Sequence, residues 1–271
     1  MTRFGNRILF VSFFAAALAG CATRDEPVLG DMAINAFTAE TLTEPFEYAS
    51  RGFELKYRLH KPLRKKWFTD YPLIVFLHGS GERGDDNMAQ LRHGVEQICK
   101  YALRHGDAYV LVPQCPAGAS WVDWDWSKQE MTRPVMPNRV MTAVLGLVEN
   151  ICKRYSVDRD RVYITGISMG GFGTWDAVTR KAGCFAAAVP VCGGADENTA
   201  NFYRNTALWI FHGAKDGAVS VEYSRRMDKA LEAAKIPHRY TEYPETGHAC
   251  WNQVYADEEM LGWLFAARRG K

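Results

Sequence analysis

Apolar and polar residues alternate from Phe53 to His60, with Phe53, Leu55, Tyr57 and Leu59 on one side, as in a strand that buries one face. Pro72 to Leu77 and Tyr109 to Val112 are instead short, continuous apolar runs ended by Gly or Pro, the pattern of strands covered on both faces of a parallel sheet. From Val140 to Tyr155 the period lengthens: Val140, Val144, Leu147, Val148 and Ile151 form a helical stripe before β-branched composition returns over Arg161 to Thr165. The alternation continues with a helix from about Gly170 to Lys181, strands Ala186 to Cys192 and Leu208 to Phe211, a helix Val221 to Ala234, a strand His238 to Tyr243 and terminal helical segments. Helix and strand in turn predict βαβ units, hence an α/β three-layer sandwich around a mostly parallel sheet. Ligands of such sheets bind outside the carboxyl ends of the strands, so the chemistry is sought there.

Composition narrows this picture. With 271 residues, 47% hydrophobic and 24% charged, the chain has an ordinary globular make-up, which excludes a disordered or fibrous protein. Lys and Arg number 33 against 31 Asp and Glu, and two of the cations, Arg3 and Arg7, lie in a segment expected to be removed. The remainder is neutral, which argues against a nucleic-acid partner. The longest apolar stretch, Ile8 to Ala19, is shorter than the roughly 18 residues that a membrane-spanning helix needs. Arg3 and Arg7, the apolar run Ile8 to Leu18 and the small residues after it have the layout of a secretory leader.

Leu18-Ala19-Gly20-Cys21 resembles the bacterial lipobox. The resemblance implies that residues 1–20 are cleaved and that Cys21 becomes a lipid-modified N-terminus, tethered to a membrane because several acyl chains hold where one is only marginal. Ala22 rather than Asp after that Cys favours, by analogy, the outer membrane of a bacterium, with the protein facing the periplasm or the surface. Residues 22–42 are expected to be a spacer, and residues 43–271 the folded domain. Six cysteines remain, Cys99, Cys115, Cys152, Cys184, Cys192 and Cys250, and the sequence selects no pairing among them. Their spacing suggests no metal site, and no cofactor is expected.

Gly166-Ile167-Ser168-Met169-Gly170 follows one predicted strand and opens a predicted helix, the setting of a nucleophile elbow, and Ser168 is the candidate nucleophile. A serine needs a His to take its proton and an acid to orient that imidazole. Of the seven His, His60, His93, His105 and His238 sit in or beside predicted strands and helices with no elbow-like setting, and His78 and His212 lie at strand ends; His248 follows the turn after the last strand, where the order Ser, acid, His puts the base. Asp216, in the loop after Leu208 to Phe211, is the favoured acid, with Asp196 as its rival, while Asp176 and Asp228 fall on predicted helices. Oxyanion donors are expected at the backbone of Met169 and in the loop His78-Gly79-Ser80-Gly81-Glu82-Arg83-Gly84, at Ser80 or else Gly79 or Gly81, with His78 a structural residue of that loop. Trp121 and Trp251 are candidate walls of a substrate pocket.

The His78 loop, Pro113-Gln114-Cys115-Pro116 with Trp121 and Trp124 beyond it, the elbow, His212-Gly213-Ala214-Lys215-Asp216 and Gly247-His248 together resemble one family over residues 50–267. It is the α/β-hydrolase group called predicted peptidases, akin to polyhydroxybutyrate-depolymerase-like esterases and to the feruloyl and acetylxylan esterases of the first carbohydrate-esterase family. The resemblance implies an α/β-hydrolase fold and cofactor-free hydrolysis of a small-molecule or polysaccharide-linked carboxylic ester by Ser168, Asp216 and His248. A peptidase of prolyl-oligopeptidase type and a non-catalytic, glycan-binding lipoprotein are the rival readings.

Overall fold

The computed structural model describes residues 30–63, 66–124 and 131–270. The expected leader and Cys21 lie outside the described residues. One sheet of eight strands runs in the order β1-β2-β4-β3-β5-β6-β7-β8. Its strands are β1 (Glu44–Ser50), β2 (Phe53–His60), β3 (Tyr71–Leu77), β4 (Tyr109–Pro113), β5 (Val157–Ile167), β6 (Ala187–Val191), β7 (Ala207–Gly213) and β8 (Arg239–Tyr243). From β4 to β8 every neighbour pairs in parallel, whereas β2 is antiparallel to both β1 and β4.

All seven residues of β3 are buried, because the strand lies between β4 and β5 with helices over both faces. The helices are α1 (Asp31–Asn35), α2 (Ala39–Leu42), α3 (Val95–Arg104), α4 (Arg139–Arg154), α5 (Met169–Arg180), α6 (Glu222–Ala233), α7 (Trp251–Ala256) and α8 (Glu258–Ala266). Two apolar cores separate them: one holds the stripes of α4, α5 and α6 against one face of the sheet, the other those of α2, α3, α7 and α8 against the opposite face. This is the expected three-layer sandwich, and it is the α/β-hydrolase fold. The Asn138 side chain caps α4 by accepting the Met141 N–H at 2.8 Å, which fixes where the predicted stripe begins.

Three features differ from the sequence reading. The edge strand β1 and the crossover helix α3 were not anticipated: β1 alternates only between half-buried and exposed positions, so its pattern carries little contrast. The segment expected to be spacer is, from residue 31 on, part of the fold. Ile34, Ala39 and Leu42 are buried, Arg58 donates to the carbonyls of Glu40 and Thr43, and His60 Nδ1 lies 2.7 Å from the Leu42 carbonyl. That cover also explains why the one-sided alternation of β2 gives way to four consecutive buried residues at its end.

Candidate active site

Ser168, Asp216 and His248 follow the carboxyl ends of β5, β7 and β8, so parallel strands far apart in sequence deliver them to one edge of the sheet. Ser168 sits at φ +53°, ψ −117°, a conformation rarely open to a side-chain-bearing residue. The surroundings impose it. A Cβ on Gly170 would come within 1.9 Å of the Leu77 carbonyl oxygen and one on Gly166 within 2.4 Å of the Gly170 oxygen, so the turn closes only with glycine at both places.

The His248 imidazole bridges the other two side chains. Its Nε2 is 3.0 Å from Ser168 Oγ and its Nδ1 is 2.7 Å from Asp216 Oδ2. The Asp216 carboxylate is wholly enclosed, and its second oxygen accepts the N–H groups of Ala218 and Val219, both at 2.9 Å. Burial alone would raise its pKa, but the Val219 amide, His248 and the Ala218 amide outweigh that and hold it below the ordinary carboxylate value. The His248 pKa is raised, through its contact with the Cys192 sulfur and through Asp216. The hydrogen bond to Cys250 and burial keep the Cys192 thiol protonated, so the Asp216 carboxylate is the charge that favours the imidazolium.

The rival acids are committed elsewhere. Asp176 pairs with Arg180 at 3.1 Å, Asp228 with His238 at 2.8 Å, and Asp196 caps a 3-10 turn through the Asn198 N–H while accepting Arg133 N–H.

The loop after β3 lies against the elbow: a Cβ placed on Gly79 would be 3.7 Å from that of Ser168. Met169 opens α5 and Ser80 opens a 3-10 turn, positions whose N–H groups have no acceptor within their own helix. His78 holds this loop in place. Its Nδ1–H donates to the Gly79 carbonyl at 2.6 Å, and its Nε2 accepts the Cys115 N–H at 2.9 Å. Burial pushes its pKa down to about 4, so the ring is a neutral brace.

Trp121 is not a pocket wall. It is fully buried, donates its indole N–H to the His78 carbonyl at 2.9 Å and packs edge-on against the His78 ring, so it supports the loop from beneath. Trp251 does stand beside the site, its ring edge-on to His248 at 5.1 Å. Its indole N–H is buried without an acceptor among the described residues.

Sequence reasoning passed over two neighbours. The His93 ring lies tilted against Trp251 with ring centres 5.5 Å apart, and its Nε2 is 3.7 Å from the buried Glu82 carboxylate. His212 backs Asp216, its Nε2 3.2 Å from Oδ2, and its place at i−4 from the acid on a strand end was the available signal. Cys192, His212 and Asp216 bring ligand-type atoms within 4.8 Å of one another, but Cys192 is taken up with Cys250, His212 with Ser224 and Val219, and Asp216 with His248.

Residues 67–258 match the α/β-hydrolase family described as Phospholipase/Carboxylesterase. The chain belongs to this family. It is similar to a bifunctional acetylxylan esterase/xylanase of Neocallimastix patriciarum, 27% identical over 152 residues, which cover 56% of this chain and 20% of that one. A poly(3-hydroxyalkanoate) depolymerase C of Paucimonas lemoignei is 26% identical over 165 residues, 60% of this chain and 37% of its own. The chain thus spans well under half the length of these curated relatives. Among solved structures, a thermostable esterase superposes with a TM-score of 0.76 at 34% identity, over 84% of this chain and 64% of the other.

Proposed function

We propose that the protein is a serine esterase. The observation that carries this reading is the chain of contacts from Ser168 Oγ through His248 to Asp216, at 3.0 and 2.7 Å, inside a phospholipase/carboxylesterase-family fold. Neutral His248 takes the Ser168 proton at Nε2 as Oγ attacks the ester carbonyl, while Asp216 holds Nδ1–H and stabilises the imidazolium. The N–H groups of Met169 and Ser80 receive the developing oxyanion. Collapse expels the alcohol, which leaves with the proton returned by His248, and the acyl group stays on Ser168. Water, deprotonated by the same imidazole, then releases the acid.

Acetyl or feruloyl esters attached to a polysaccharide are the substrates we favour; the likeness to the bifunctional acetylxylan esterase/xylanase supports the first. The leader and the lipobox-like run ending at Cys21 support export and lipid anchoring, with the outer membrane as destination. The test is Ser168→Ala assayed on p-nitrophenyl acetate and on acetylated xylan. The variant should lose at least about a thousandfold in turnover. Activity undiminished in Ser168→Ala overturns the assignment.

A further inference from the structure

Eight large apolar side chains stand exposed among the described residues, and four of them, Met32, Leu63, Trp67 and Phe68, belong to two segments at one end of the molecule. Trp67 is 91% and Phe68 105% exposed, as open as side chains become on a folded protein. Both lie in the loop 61–70, which joins the end of β2 to the start of β3. Since β2 runs antiparallel to β4, with His60 opposite Val110, this loop lies at the amino edge of the parallel strands. Ser168, Asp216 and His248 lie at the carboxyl edge. The loop and the candidate active site therefore point in opposite directions.

The N-terminal segment enters the fold at the loop's end of the sheet. Asp31 is held by Arg104 at 3.0 Å, on the last turn of α3, and three residues farther on Asp107 accepts the Leu63 N–H at 2.7 Å. Nine residue steps separate Gly30 from Cys21. Extended, they reach about 30 Å, so an anchor at Cys21 holds this end of the domain within touching distance of the bilayer. The chemistry of the loop suits such a surface. By sequence it carries Arg64, Lys65 and Lys66 against Asp70 alone, beside a Trp-Phe pair, while Lys61 at its start pairs with Glu44 at 2.7 Å. Aromatic rings settle at the headgroup level and lysines pair with anionic headgroups, each adding to an acyl anchor.

We propose that the loop carrying Leu63, Lys66, Trp67 and Phe68 docks on an anionic phospholipid bilayer, so that the enzyme rests on its anchoring membrane by the amino edge of the sheet and presents Ser168 away from it. The proposal rests on the reading of Cys21 as a lipidated N-terminus for its biological setting, but the contact itself is separable from the anchor. An esterase held this way faces substrate in the surrounding solution or in an insoluble polymer rather than in the lipid.

The chain from residue 21 with Cys21→Ser, which carries no acyl group, is sedimented with vesicles of phosphatidylglycerol and, in parallel, of phosphatidylcholine. Binding to the anionic vesicles is expected, with at least a tenfold loss of partitioning in Trp67→Ala/Phe68→Ala and a smaller loss in Lys66→Glu or at high salt. Hydrolysis of p-nitrophenyl acetate should stay within twofold in every variant, which shows that each is folded. No vesicle binding by the Cys21→Ser chain, or equal binding by the double aromatic variant, overturns the proposal. So does a dimer in sedimentation velocity, or retention on insoluble xylan, that depends on Trp67 and Phe68 in the absence of vesicle binding. The mass of the exported N-terminus reports lipidation separately, so failure of the anchor and failure of the loop are distinct results.

Discussion

Replacing Gly170 by Ala tests the architecture of the elbow more sharply than removing a reactive group. The new Cβ would lie 1.9 Å from the Leu77 carbonyl oxygen, 2.5 Å from its carbon and 2.8 Å from the His78 oxygen. All three are backbone atoms at the end of a strand buried along its whole length, so no side chain can swing aside. Relief requires α5 and the end of β3 to part by at least about 1 Å, and these two elements carry Ser168 with Met169 and the His78 loop, respectively. A shift of that size stretches the 3.0 Å contact between Ser168 and His248 beyond hydrogen-bond length. The expected loss in kcat/KM on p-nitrophenyl acetate is about a hundredfold, or about 2.7 kcal/mol of transition-state stabilisation. Overpacking against backbone should also cost about 3 kcal/mol in urea unfolding. Gly217→Ala, on the same edge of the sheet, meets nothing within 4 Å and serves as the control with unchanged stability. A Gly170→Ala protein that unfolds within about 1 kcal/mol of the parent and keeps activity within threefold would refute the steric argument.

Other outcomes follow from the same geometry. Because His248 must be neutral to accept the Ser168 proton and Asp216 favours its charged form, kcat/KM should rise with pH through an inflection above the ordinary His value of about 6.5. In Asp216→Asn, which removes the charge favouring imidazolium, that inflection should move down while the rate falls about a thousandfold; an unmoved inflection contradicts the assignment. His78, with its pKa pushed down to about 4, contributes stability that is complete above the unfolded value and lost as pH falls from about 6.5 to 4. The loss amounts to about 3 kcal/mol, and the slope of unfolding free energy across that range should fall in His78→Gln, leaving the part that the likewise buried His212 contributes. Arg180, which pairs with the buried Asp176 and donates to the carbonyls of Pro134 and Val135, should cost about 3–5 kcal/mol when changed to Met. Asp176→Asn/Arg180→Met should cost less than Arg180→Met alone, as judged by urea titration, because no unpaired carboxylate stays buried.

What could be seen in the sequence was local. Ser168 and Asp216 follow strands whose apolar runs mark them, the glycines around Ser168 announce a tight turn, and His248 follows the turn after the last strand, so these positions were legible one at a time. What depended on contacts between distant segments was not. Trp121 reads in the sequence as a candidate pocket wall, and only its burial and its donation to the His78 carbonyl, 43 residues away in the chain, show the packing role. The His93–Trp251 contact and the support that His212 gives Asp216 have the same origin. The strand β1 escaped because an edge strand only half-covered on one face lacks a strong period, and the helices α1 and α2 because they are too short for one to develop.

The docking of residues 31–43 has a practical side for anyone producing the protein. A recombinant version begun at residue 43, where the pattern of strands first becomes obvious, would strip the Glu40 carbonyl from the Arg58 guanidinium and the Leu42 carbonyl from the His60 ring. It would also bare the side of α3 that Ile34, Ala39 and Leu42 shield. Such a truncation invites inclusion bodies, whereas a start before Asp31 retains the whole cover.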